Sequence, residues 1–204
     1  MMKALLGTKL GMTQVFNPDG TVTPVTVIQA GPCVITQKKT AGSDGYEAIQ
    51  IAYGDVKAKR LNRPLLGHLK KAGVSPKRHL MEVPGETGAA VGEVLDVSLF
   101  EAGELVKVSG VTKGKGFQGV VKRHGFGGGP GGHGAHFHRA PGSIGASADP
   151  SRVYPGTRLP GQMGAKHATQ RGLTVVSTDT ERNLLLLKGS VPGSKGSLVV
   201  VRGQ

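Results

Sequence analysis

Basic side chains crowd the middle of this chain, where acidic side chains are almost absent. Between Leu105 and Thr178 the sequence carries ten Lys or Arg and one carboxylate, Asp149, and the 204-residue chain has a formal net charge of +13. So large an excess of basic over acidic side chains predicts an anionic partner. Structured nucleic acid supplies both negative charge and a shape to fold against. The cations that we expect to meet phosphate are Lys113, Lys115, Lys122, Arg123, Arg139, Arg152, Arg158, Lys166 and Arg171.

A glycine motif opens this basic segment. Residues 114–119 read GKGFQG, which formally matches the GxGxxG fingerprint of dinucleotide-binding proteins. That fingerprint needs a parallel βαβ unit, a helix that begins in the glycine run and an acid about 20 positions further on. The first acid downstream is Asp149, and the chain between is too rich in Gly and Pro to favour a helix. We therefore predict no cofactor, and interpret the glycines as backbone that passes close to phosphates.

Three histidines, His133, His136 and His138, lie close together in the same segment. Zinc normally takes four ligands, but no Cys or carboxylate is nearby, and the spacing gives no helical i, i+4 pair. We therefore predict no metal site. The histidines are expected to hydrogen-bond to phosphate or to carry partial charge against it, and solvated loop histidines remain the alternative.

Candidates for catalysis are few. Ser143, Ser147 and Ser151 follow the histidines, but a triad needs an orienting acid and a scaffolded turn, and no GxSxG motif is present. Paired carboxylates are missing from the basic segment as well. The sequence therefore predicts a protein that is not an enzyme and has no small-molecule substrate.

Aromatic side chains make up only 4% of the chain. The basic segment holds just Phe117, Phe126, Phe137 and Tyr154, too few for a sheet that reads single strands by stacking successive bases. Folded RNA is the better match, because cations on a glycine-rich backbone can neutralise converging phosphates where larger side chains will not fit.

Strand-forming sequence lies on both sides of this segment. Residues 12–16 and 21–29 predict a hairpin around Asp19-Gly20, and Pro24 places the start of the second strand at an edge or bulge. Residues 62–72 predict a short helix with Asn62 as cap, Pro64 in the first turn and Gly73 at its end. The remaining predicted strands cover residues 34–38, 46–53, 80–83, 94–97, 105–112, 173–177, 183–189 and 197–202.

Many short strands with little helix favour a mostly β fold, a small closed or nearly closed barrel. We place this barrel domain at residues 1–112 together with 173–204. Residues 113–172 are then a long, irregular Gly/Arg/His-rich insertion, and a loop of that length without its own core is either functional or disordered. Without buried apolar area it must order against its partner.

The remaining composition points to a reducing compartment. Cys33 is the only cysteine, so an intrachain disulfide is excluded and a cytoplasmic protein is expected. The start at residues 1–6 is too short an apolar run for a secretory signal. No run of about 18 apolar residues predicts a transmembrane helix, so no membrane partner is expected.

Short motifs recur in order along nearly the whole chain. They are GTKLGMT at residues 7–13, PVTVI at 24–28, DGY at 44–46, GH at 67–68, KAGV at 71–74, KGKGF at 113–117, VKR at 121–123, HR at 138–139, PGSIG at 141–145, GQMG at 161–164 and NLLLLKG at 183–189. Together they resemble the bacterial large-subunit ribosomal protein L-three (L3) family. Each motif alone is weak, whereas their order and spacing are specific.

This resemblance implies a six-stranded barrel of the kind shared with translation factors. It also implies direct binding near the 3′ end of the large-subunit (23S) rRNA, a part in nucleating subunit assembly, and neighbouring ribosomal proteins against the barrel. By the same resemblance Lys9, His124 and Ser143 join the expected rRNA contacts. The innermost tip, towards the peptidyl transferase centre, would be Ile144, Gly145, Ala146, Ser147, Ala148 and Asp149.

Three departures from the family pattern are visible, one of them that several relatives are more basic around the segment matching residues 152–161. Many relatives carry a methylatable glutamine where this chain has Ala148, so that modification is not expected. Relatives also tend to have Trp after the Lys-Arg pair, and here His124 follows Arg123. The alternative interpretation is a basic nucleic-acid-binding protein outside the ribosome.

Overall fold

The structure is a computed structural model, and it describes residues 3–85 and 88–204. Met1 and Met2, part of the chain start considered above, and Glu86 and Thr87 lie outside the described residues. The chain divides into two compact units. We call residues up to 111 together with 167–204 the barrel unit, and residues 112–166 the insertion unit.

The barrel unit contains a closed antiparallel barrel of six strands, as the resemblance implied. Its strands are Ala4–Phe16 (β1), Val22–Ala30 (β2), Leu105–Val111 (β7), His167–Asp179 (β10), Leu184–Lys188 (β11) and Leu198–Gly203 (β12). They follow one another around the barrel in the order β1, β12, β7, β10, β11 and β2. Strands that precede the insertion in the sequence and strands that follow it therefore pair in one closed sheet.

A second sheet of four strands belongs to the same unit. Its strands are Cys33–Lys39 (β3), Ala48–Asp55 (β4), Lys77–Pro84 (β5) and Val94–Leu95 (β6), and they lie in the order β5, β4, β3 and β6. The predicted pairing of the segments at 34–38 and 46–53 is confirmed, with Ile35 opposite Ile51. The predicted strand at 94–97 is shorter than expected, because a 3-10 turn, Val97–Leu99, follows it.

The predicted hairpin joins β1 and β2. Asn17 N donates to Thr21 O at 2.9 Å, and Asp19 Oδ1 accepts from Thr21 N at 2.9 Å, which closes the turn. Pro24 pairs with Gln14 of β1 and lies beyond the last β2–β11 pair. Its missing N–H therefore costs no hydrogen bond on the second side of the strand.

The predicted helix is α2, Arg63–Lys71, which follows a short helical turn α1, Ala41–Asp44. Asn62 caps α2 through its side chain, whose oxygen accepts from Leu65 N at 3.1 Å. Leu69 is buried on the helix face that packs inward. At the other end the Gly73 amide donates to Lys70 O at 3.0 Å.

One hydrophobic cluster joins the two sheets. Leu6 and Val108 of the barrel share it with Ile35 and Ile51 of the second sheet. Cys33 lies at the junction, where Leu6 N donates to its sulfur at 3.3 Å, and burial raises the pKa of this thiol to about 11. The cluster gives the barrel unit a core of its own.

No helix within residues 3–85 and 88–204 is long and apolar enough to cross a membrane.

Candidate nucleic-acid interface

The insertion unit is nearly without regular structure. It contains two three-residue strands, Gly116–Gln118 (β8) and Gly161–Met163 (β9), and a five-residue helix, Val120–His124 (α3). Residues 125–160, between α3 and β9, form neither helix nor strand. Val120, 2% exposed, is the one buried hydrophobic side chain from 112 to 166, all of which the structure describes.

The two ends of the insertion unit are joined by a short ladder, which we call the neck. Thr112 N donates to Lys166 O, and Lys115 N donates to Met163 O, each at 2.9 Å. Gly164 has φ +70°, and a Cβ there would overlap the Lys113 carbonyl oxygen. The neck therefore requires glycine at this position.

The predicted phosphate-binding cations are mostly exposed, as a contact with RNA requires. Those exposed in the insertion unit are Lys113, Lys115, Lys122, Arg139, Arg152, Arg158 and Lys166. Arg171 is exposed too, but it lies in β10 of the barrel unit, because that strand begins at His167. Residues 167–172, placed in the insertion by sequence, are thus part of a barrel strand.

Ion pairing does not neutralise these cations. In the described part of the chain, all four Lys–carboxylate ion pairs lie in the barrel unit: Lys3–Glu104, Lys39–Asp44, Lys39–Glu82 and Lys77–Asp55. The insertion unit has eight Lys or Arg and only Asp149 as counter-charge. Its positive field is therefore available to an external anion.

Arg123 and His124 have an internal function that the sequence did not reveal. Arg123 Nη1 donates to Leu159 O at 2.6 Å, and His124 Nε2 lies 3.0 Å from the same carbonyl oxygen, which can only accept. Both side chains thereby fasten α3 to the returning chain just before β9. The other N–H groups of the Arg123 guanidinium still leave donors for a phosphate.

Lys9 differs from the other predicted contacts. Its side chain is 8% exposed, and its ammonium donates to the carbonyl oxygens of Val191 at 2.7 Å and Gly193 at 3.2 Å. These contacts hold the segment between β11 and β12 against β1. The geometry therefore gives Lys9 a structural function within the barrel unit.

The three neighbouring histidines do not converge. All three are exposed, and His138 Nδ1 donates to Pro130 O at 2.7 Å. No group of three or more His, Cys, Asp or Glu within residues 3–85 and 88–204 is arranged to hold a metal ion.

The predicted tip, residues 144–149, is exposed throughout. Ser143 Oγ donates to Gly145 O at 3.0 Å and so shapes the turn into it. On the return, the Arg152 guanidinium lies 5.5 Å from the centre of the Tyr154 ring. The small side chains of residues 145–148 leave backbone groups accessible to a close partner.

The prediction that no helix follows the glycine motif is wrong. A helix, α3, does begin directly after it, with Gly119 as cap, although Gly and Pro were expected to prevent one. Residues 120–124 contain neither Gly nor Pro, and that signal could have revealed the turn. The strands on either side, β8 and β9, are antiparallel, so this is not the parallel unit that binds dinucleotides.

These features define a basic, mostly β protein with a barrel and a cation-rich insertion. The family model for ribosomal protein L3 matches residues 77–183. Curated relatives named large ribosomal subunit protein uL3 match along nearly their whole length. They are those of Synechococcus elongatus (56% identical, covering 98% of this chain and 94% of the relative), Trichormus variabilis (54%, 98% and 96%) and Carboxydothermus hydrogenoformans (52%, 99% and 97%).

The chain therefore belongs to the ribosomal protein L3 family, whose resemblance the ordered motifs had indicated.

Proposed function

We propose that this protein is a structural constituent of the large ribosomal subunit that binds 23S rRNA directly through its insertion unit. One observation carries this proposal: eight cations and one acid lie on a unit with a single buried hydrophobic side chain. Such a unit lacks the apolar burial that would offset its ordering entropy, and phosphate neutralisation supplies the missing stabilisation.

The proposed contact set follows from exposure and charge. It comprises the exposed cations of the insertion unit, Arg171, the exposed histidines His133, His136 and His138, the remaining N–H donors of Arg123, the half-buried His124, and Ser143. Lys9 is left out because its ammonium is enclosed by carbonyl oxygens. The protein acts as a component of the particle rather than as an enzyme, and it works where ribosomes work, in the cytoplasm.

Finer aspects of the proposal come from the family. We place the rRNA contact near the 3′ end of the 23S rRNA, where early binding helps to nucleate subunit assembly. Residues 144–149 then point towards the peptidyl transferase centre, and neighbouring large-subunit proteins contact the barrel unit. The exposed tip supports this placement, since the small side chains of residues 145–148 let backbone approach RNA closely.

Sedimentation tests the proposal against a basic nucleic-acid-binding protein outside the ribosome. A tagged copy expressed in a bacterium should travel with the large subunit through a sucrose gradient and stay there after a moderate salt wash. Recovery of the protein with free RNA or DNA at the top of the gradient would contradict the proposal. A tagged, unrelated basic protein is the control for non-specific adhesion.

A further inference from the structure

A cleft of about 680 Å³ lies within the insertion unit, in the irregular chain that follows α3. Its volume falls in the range of roughly 300–1,000 Å³ that is usual for small-ligand sites. The lining consists of two aromatic rings, two small apolar side chains and glycine backbone, and includes no charged side chain. The lining residues are Phe126, Gly127, Gly128, Gly129, Phe137, Ala140, Pro141 and Gly142.

Hydrogen bonds join the two walls of the cleft. Gly129 N donates to His138 O at 3.0 Å, and His138 Nδ1 donates to Pro130 O at 2.7 Å. A Cβ at Gly129 would overlap the Phe137 carbonyl oxygen, so the approach of the walls depends on glycine. The ring of Phe126 is positioned by His124, at 5.9 Å between centroids.

The second ring is exposed to solvent. Phe137 is 76% exposed, although it is a large aromatic side chain in a unit that has almost no core. An exposed aromatic ring beside a preformed apolar cleft marks a site where a partner is bound. The partner must bring a flat or apolar surface, because no charged group lines the cleft.

Charge around the cleft narrows the class of partner. His136 and His138 flank Phe137 in the sequence, Arg139 follows two residues after it, and all three are exposed; Asp149 is the only acid of the insertion unit. A partner with an apolar flat face and a polyanionic backbone matches both features, and unpaired nucleotides combine the two.

We propose that this cleft receives an unpaired base of the rRNA, stacked on Phe137, with the adjoining phosphate facing Arg139. This inference rests on the proposed function and adds the chemical group that the site recognises. It assigns one stacking position, which is compatible with a chain too poor in aromatic residues to form a stacking platform.

A matched pair of variants tests the stacking. Phe137→Leu removes the ring but keeps an apolar side chain, and Phe117→Leu does the same at a ring that is 75% exposed and lies outside the cleft. In titrations of the full chain with a 23S rRNA transcript, Phe137→Leu should weaken binding about tenfold, the scale of one stacked base. Phe117→Leu should change it less than about twofold.

Neither variant removes a charge, so the salt dependence of binding should stay that of the wild type. Ultraviolet cross-linking with mass spectrometry should find a nucleotide adduct on Phe137 in the wild-type complex. A second pair checks the cleft itself. Gly129→Ala should weaken binding, whereas Gly131→Ala, with open space at its Cβ position, should not.

Equal affinities for the Phe137 and Phe117 variants, or an rRNA complex without any adduct on Phe137, would overturn the inference while leaving the proposed function intact. Failure of the wild-type chain to bind the transcript would overturn the proposed function itself.

Discussion

Among the single residues, Lys9 has the clearest structural function. Its ammonium satisfies two carbonyl oxygens between β11 and β12, and the side chain is almost fully buried. Lys9→Met would leave both acceptors without this donor, which we expect to lower the free energy of unfolding by about 1–3 kcal/mol. Chemical denaturation measures this loss.

The matched control is Lys195→Met, which removes an exposed lysine of the same barrel end and should leave stability nearly unchanged. Binding of Lys9→Met to rRNA, measured well below its unfolding transition, should equal that of the wild type. A large loss of affinity without a loss of stability would instead make Lys9 an RNA contact.

We expect the buried thiol of Cys33 to make the free energy of unfolding depend on pH. Burial raises the pKa of its thiol from 9.0 to about 11, and the opposing effects of the Leu6 amide and Lys77 are smaller. Between these values the unfolded chain has lost its thiol proton and the folded chain has kept it. The contribution of this thiol to the free energy of unfolding is therefore fully present below about pH 9, and it is lost as the pH rises towards 11.

The loss amounts to about 2–3 kcal/mol over that window. Denaturation curves of the wild type and Cys33→Ala at a series of pH values isolate it from other titrating groups. The difference in unfolding free energy between the two proteins should shrink as the pH increases. A difference that stays constant from neutral pH to pH 11 would show that the thiol keeps its ordinary pKa.

At the scale of elements, the neck determines whether the insertion unit holds its form. Gly164→Ala forces a side chain into a left-handed conformation and against the Lys113 carbonyl oxygen. We expect this strain to cost about 1–3 kcal/mol locally. Hydrogen exchange of the Lys115 and Thr112 amides should then become roughly 5- to 150-fold faster.

Gly114→Ala is the control at the same neck. A Cβ there would meet only Ala165, at an ordinary 3.7 Å, and the residue has no positive φ. Its amide exchange should match that of the wild type. Equal protection in both variants would mean that the neck tolerates side chains at either glycine.

Local sequence patterns predicted most strands, because alternation and turn residues act over short distances. The β1–β2 hairpin follows from the turn at Asp19-Gly20, and α2 from its Asn62 cap. The division of the strands into a barrel and a second sheet could not be predicted this way. β2 and β3 follow one another closely in the sequence, and only long-range pairing assigns them to different sheets.

The candidate interface was predictable in charge but not in contacts. The cations at 113–166 are visible in the sequence, and most are exposed as expected. The bond from Arg123 to Leu159 joins residues 36 positions apart, and no local pattern reports it. β8, β9 and α3 are likewise too short to produce a hydrophobic period. The cleft beside Phe137 could not be predicted either, because residues 126–129 and 137–142 come together only in the folded chain.

At the scale of the whole molecule, the two units differ in what stabilises them. The barrel unit contains the shared hydrophobic cluster and the four Lys–carboxylate ion pairs of the described residues. The insertion unit has most of its charge unpaired and one buried hydrophobic side chain. Val111 and His167 are directly paired in β7 and β10, so a two-residue Asn-Gly turn can replace residues 112–166.

The most direct measurement compares the salt dependence of 23S rRNA binding for the full chain and for this shortened chain. If about five cations meet phosphates, the full chain should show a log–log slope of roughly −3 to −5. The shortened chain should unfold cooperatively yet lose most of the affinity and of the slope. A flat salt response of the full chain, or an undiminished slope in the shortened one, would contradict rRNA binding through the insertion unit.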